Sequence, residues 1–157
     1  MNVLLVVDMQ NGFIKDDKHK ELSKKIEKLV NSNAYDKIFA TKFVNDRTKN
    51  SLYEDKLNWK ELKTKVEQDF SLTFPKDVVV FEKNTYGLNQ KDLKTLKSLK
   101  IDKIDICGVE SDACVYAIAL QLWDMGIYPN ILINYVLGNI DMKPVFLWQF
   151  GKVDERK

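Results

Sequence analysis

Five short runs of almost wholly apolar, β-branched residues, each separated from the next by a stretch of helical periodicity, constrain this chain more than any other feature. The runs are Asn2–Val7, Lys37–Thr41, Asp77–Phe81, Lys103–Cys107 and Asn130–Tyr135. A strand that is apolar at successive positions is covered on both faces, as the strands of a parallel sheet are. Between the runs, Leu22, Ile26, Leu29 and Val30 recur at helical spacing, as do Leu93, Leu96 and Leu99. Trp59, Leu62 and Val66 give a shorter example. From Ser111 to Asp124 one apolar face holds Val115, Ile118, Ala119 and Leu122, with Gly126 placed as a stop. This alternation predicts an α/β fold, a three-layer α/β/α sandwich on a mostly parallel sheet with right-handed crossovers.

At 157 residues the chain has the size of one ordinary domain, so 1–157 is read as a single unit. The formal net charge of +2 sets up no field that calls for nucleic acid or an anionic membrane. No apolar run approaches the ~20 residues of a membrane span. The opening MNVLLVVDMQ lacks a basic lead and soon reaches an aspartate, which leads to the expectation of a cytoplasmic protein. Cys107 and Cys114 are then expected to be reduced rather than paired. Asn45–Asn58 shows no clear periodicity and reads equally as a lid over a site or a surface loop. The tail after Gly138 is apolar at Val145, Phe146, Leu147 and Phe150, without a clear assignment.

Ligands of open parallel sheets bind beyond the carboxyl ends of the strands, where strand order reverses. Asp8 ends the first run, Lys83 lies just past the third, and Cys114 follows the fourth by a short turn. Taken singly, Asp8 is an ordinary strand-end turn former and Lys83 one surface lysine among many. Cys114 is more informative. With Ser111 as N-cap, it falls in the first turn of a helix, beside unpaired backbone N–H groups and the positive end of the helix dipole. That setting favours thiolate and could stabilise an oxyanion. Cys107, inside an apolar strand, reads as structural. Cys114 as nucleophile, Asp8 as proton carrier and Lys83 as electrostatic support form a consistent set.

Three segments carry a resemblance to the isochorismatase-like, or cysteine hydrolase, superfamily. VVDMQNGFI (6–14) resembles its D-x-Q-x-x-F signature, FEKNTYGL (81–88) its lysine segment, and ICGVESDACVYAIALQLWDMG (106–126) its nucleophile segment. The resemblance implies a Rossmann-like central sheet and a catalytic triad of Asp8, Lys83 and Cys114. It further implies a cis peptide between Val109 and Glu110 and an oxyanion hole at the N–H groups of Ala113 and Cys114. Gln10, Phe13 and Tyr86 become candidate substrate contacts, and dimers or tetramers the expected assembly.

Relatives that bind a metal hold it through an aspartate and histidines after the second strand. Here residues 41–59 contain no histidine, and the single His19 precedes the first predicted helix as a surface residue. No metal or cofactor is therefore expected. Asn134 stands where relatives often carry aspartate. The combined reading is a metal-independent amidohydrolase that opens the C–N bond of a small non-peptide amide or carbamoyl compound through a Cys114 thioester. The alternative is a non-catalytic binding or regulatory protein on the same fold.

Overall fold

The computed structural model describes all 157 residues. Five parallel strands form one sheet in the order β3-β2-β1-β4-β5, comprising β1 (Val3–Val7), β2 (Lys37–Phe43), β3 (Val79–Lys83), β4 (Lys103–Val109) and β5 (Tyr128–Leu137). β1 lies at the centre and every one of its residues is buried, with Val3 level with both Lys37 and Ile104.

Helices cover both faces, namely α1 (Asp17–Val30), α2 (Leu52–Leu57), α3 (Lys65–Gln68), α4 (Gln90–Ser98), α5 (Cys114–Asp124) and α6 (Lys143–Phe150). The connections β1-α1-β2 and β4-α5-β5 step along the sheet in opposite directions. Right-handed crossovers therefore place α1 and α5 on opposite faces. The reversal lies between β1 and β4, so the crevice expected of this topology opens beyond Val7 and Val109. Thirty-eight buried apolar residues make one core through both layers.

Three expectations need correction. Trp59, Leu62 and Val66 are not one helical face: Asn58 and Leu62 take left-handed backbone (φ +51° and +60°), which breaks any helix, and only the single turn of α3 follows. Leu62 is buried all the same, so its apolar character reports burial and not period. The helix in this crossover is instead α2, inside the stretch that has no periodicity. The α5 helix starts at Cys114 with Ala113 as N-cap and no side-chain cap, since no helix N–H donates to the Ser111 hydroxyl; the Ser111 N–H instead joins the Leu137 carbonyl (2.8 Å).

The apolar tail forms α6, after which the backbone returns beside β5. The Asp154 N–H donates to the Ile131 carbonyl (2.8 Å) and the Ile133 N–H to that of Asp154 (2.9 Å). The Asp154 carboxylate holds Arg156, whose guanidinium is also 3.2 Å from buried Asp105. No helix is long and apolar enough to cross a membrane.

Candidate active site

Asp8 follows β1 directly in left-handed backbone, φ +50°, a conformation that aspartate tolerates better than most residues. Its N–H donates to Thr41 Oγ1 (3.0 Å), and the Thr41 hydroxyl donates to Asp8 Oδ1 (2.6 Å). Lys83 is the last residue of β3, two strands away. Its side chain crosses the end of β2 above the Phe43 ring, with Nζ 4.8 Å from the ring centre. That ammonium lies 3.1 Å from Asp8 Oδ2 and 3.2 Å from Cys114 Sγ, and also donates to the carbonyls of Thr85 (2.7 Å) and Tyr86 (3.2 Å). All three side chains are buried, with exposures of 0% for Asp8, 4% for Lys83 and 6% for Cys114.

An ammonium has three protons, and four acceptors surround this one: the sulfur, the two carbonyls and Asp8 Oδ2. Asp8 Oδ2 is thus held by the charge of Lys83, and the Cys114 thiol interacts with the same carboxylate. Burial works against the Lys83 charge, yet Asp8 and Cys114 outweigh it and hold the amine above the ordinary lysine range. Burial, reinforced by the Asp8 charge and only partly offset by Lys83, pushes the Cys114 thiol up. Desolvation thus works against the thiolate that a helix start by itself favours. Cys107, fully buried, is also pushed up by desolvation.

The turn into α5 has a cis peptide bond between Val109 and Glu110. The Ala113 N–H, expected in the oxyanion hole, already donates to the Glu110 carbonyl (3.1 Å), which the Val115 N–H shares (3.2 Å). The N–H groups of Cys114 and Glu110 donate to no protein acceptor.

Gln10 also departs from expectation. Its amide donates to the carbonyls of Phe43 (2.8 Å) and Gln68 (2.9 Å) and accepts from the Phe43 N–H (2.8 Å), at 0% exposure. With both N–H bonds and the oxygen engaged inside the core, its amide is committed to bracing β2. Phe13 stacks on Trp59 at 6.1 Å with ring planes 18° apart. Tyr53 of α2 meets Phe43, Trp59 and the half-exposed Tyr86 edge-on at 5.3, 5.8 and 5.1 Å. Tyr53 is buried, and desolvation is the largest cause that raises its hydroxyl, in a setting shared with Cys114, Tyr86 and Asp8. The Asn45–Asn58 stretch thus folds over the triad and is not a plain surface loop.

A crevice lined by Val44, Asn84, Thr85 and Asn89 opens beside Lys83, and another lies at the far edge of the sheet around Tyr35, Lys100 and Arg156. Neither reaches Cys114. His19 lies inside α1, with Nδ1 2.7 Å from Asp16 and Nε2 3.8 Å from Glu110. Its ring is mostly covered, which corrects its reading as a surface residue ahead of the helix.

The family model for the isochorismatase domain matches residues 2–133. The chain belongs to the isochorismatase-like hydrolases. No curated protein matches it by sequence. Among solved structures, this isochorismatase-family chain is similar to a nicotinamidase/pyrazinamidase from Bacillus subtilis (18% identity, 98% of each chain, TM-score 0.81). It is also similar to an N-carbamoylsarcosine amidase from Thermoplasma acidophilum (18% identity, 100% and 99% of the chains, TM-score 0.79). A third is a pyrazinamidase of Pyrococcus horikoshii in complex with zinc (23% identity, 87% and 86%, TM-score 0.74). These likenesses establish the shared fold.

The zinc of that last structure raises the question of a metal here. No three histidine, cysteine, aspartate or glutamate side chains gather within ligating reach of one another. Asp46, in the region after β2, turns its Oδ1 to the N–H and hydroxyl of Thr48. The donor set does not suit a resident metal.

Proposed function

We propose that this protein is a metal-independent cysteine hydrolase that cleaves the C–N bond of a small non-peptide amide or carbamoyl compound through a Cys114 thioester. The observation that carries this reading is the buried Lys83 ammonium lying 3.1 Å from the Asp8 carboxylate and 3.2 Å from the Cys114 sulfur. As the sulfur attacks the carbonyl carbon, its proton passes to Asp8 Oδ2 and the C=O electron pair moves onto oxygen. The free N–H groups of Cys114 and Glu110 are the donors available to that oxygen. Collapse of the adduct breaks the C–N bond, and the departing nitrogen takes the proton from Asp8. Water then gives a proton to Asp8 and attacks the thioester. The acid leaves, and the proton returns to Cys114 sulfur.

Lys83 stays charged throughout and keeps Asp8 and the developing negative charge in one place. Phe13, Trp59 and Tyr53 make an aromatic wall suited to a small, flat acyl group. The test is ammonia release from a panel of small amides before and after dialysis against a chelator, with Cys114→Ala as the blank. Activity that survives chelation, vanishes in the blank and leaves an acyl mass on the Cys114 peptide after a rapid quench is the expected result. Release by Cys114→Ala, or release restored only by added metal, refutes it.

A further inference from the structure

We infer that Thr41 is a positioning residue for the proton-transfer step, selecting which oxygen of Asp8 acts as the base. The inference rests on the reading of Asp8 as the base. Thr41 lies near the end of β2, one residue beyond the Val6–Ala40 register pair, and is 0% exposed. A fully buried hydroxyl has to use its hydrogen-bonding groups locally. The Thr41 hydroxyl does so on a single residue. It accepts from the Asp8 N–H (3.0 Å) and donates to Asp8 Oδ1 (2.6 Å).

The first bond holds the left-handed backbone of Asp8, and the second fixes the rotation of its carboxylate. Oδ1 is then occupied, and Oδ2 is turned to Lys83. Lys83 shares its three protons among Cys114, Thr85, Tyr86 and Asp8 Oδ2, so Thr41 is the donor on Oδ1. Without the hydroxyl, nothing else donates to Oδ1, and the carboxylate is free to turn. Only the hydroxyl is needed, so serine is expected to serve where valine fails.

Thr41→Val, nearly isosteric but without the donor, is compared with Thr41→Ser and the parent after thermal melts establish folding. Thr41→Val is expected to lower kcat about 10- to 100-fold, the effect of losing a hydrogen bond to a charged group, with KM within about threefold. Thr41→Ser restores most of kcat. If Thr41→Val folds poorly, Thr41→Ala is scored on the same readouts.

The rate of Cys114 alkylation by iodoacetamide, followed by mass spectrometry, needs no substrate and separates this inference from the function itself. It slows in Thr41→Val and recovers in Thr41→Ser even when the parent hydrolyses none of the amides offered. Valine and alanine variants with parental kcat and alkylation rate overturn the inference, and so does a serine variant as impaired as valine.

Discussion

Gln10, expected among the substrate contacts, and Gly108, ahead of the nucleophile turn, are both set by backbone requirements. The Gln10 amide satisfies the backbone of Phe43 on both sides and the carbonyl of Gln68. Gln10→Ala leaves those buried groups unpaired and is expected to cost about 2–4 kcal/mol, measured by urea denaturation, with KM of the folded fraction unchanged. A rise in KM at full stability would return Gln10 to the substrate contacts. Gly108, in β4 just ahead of the nucleophile turn, takes φ +116°, and a Cβ there would sit 2.1 Å from the Val7 carbonyl oxygen. Gly108→Ala therefore meets both a forbidden backbone angle and a clash with the central strand. A loss of about 3 kcal/mol or more in the same measurement is expected.

Among the elements, α2 and the C-terminal return decide the surroundings of the sheet. Tyr53 is the α2 residue that covers the triad, so Tyr53→Ala is expected to speed alkylation of Cys114 by about threefold or more while Cys107 stays unlabelled, because exposure and thiolate character together control thiol reactivity. Unchanged labelling would show that reagent reaches the sulfur by another path. The return beside β5 depends on Asp154. The Arg156 guanidinium, helped by Asn130 and the Arg156 N–H, holds its carboxyl well below the usual aspartate range against a smaller effect of burial. A depressed carboxylate contributes stability above its unfolded value near 3.8, and loses it as the pH falls through the folded one. Asp154→Asn should therefore lower Tm at pH 7 by about 2–4 °C, the shift that ~1 kcal/mol makes in a chain of this size. The difference from the parent should shrink steadily below pH 4. A constant difference would assign the effect to packing.

For the whole molecule, α6 is apolar nearly all round, and it buries Phe146 and Phe150 while Trp148 remains 85% exposed, with Ile140 and Leu147 also open. The self-association expected from the family resemblance is proposed to use this face. Light scattering at micromolar concentration is expected to give a dimer or larger, and Trp148→Glu a smaller species. A monomeric parent ends the proposal.

Strand number, strand polarity and the sites of Asp8, Lys83 and Cys114 were legible in the sequence, since parallel strands buried on both faces leave continuous apolar runs and the carboxyl ends of those runs are countable. Helices held by local periodicity, such as α1, were legible for the same reason. The α2 helix was not, because six residues are too few for a period to register. Thr41 was hidden inside an apparently apolar run, since its partner Asp8 lies 33 residues away in sequence and meets it only through the register of β1 on β2. The desolvation of Cys114 was likewise beyond the sequence. A helix start argues for thiolate, but desolvation depends on what covers the sulfur, and only the folded chain brings Tyr53, Lys83 and Asp8 around it. Local pattern determined which residues reach the edge of the sheet, and tertiary packing decided which of their atoms are free to react.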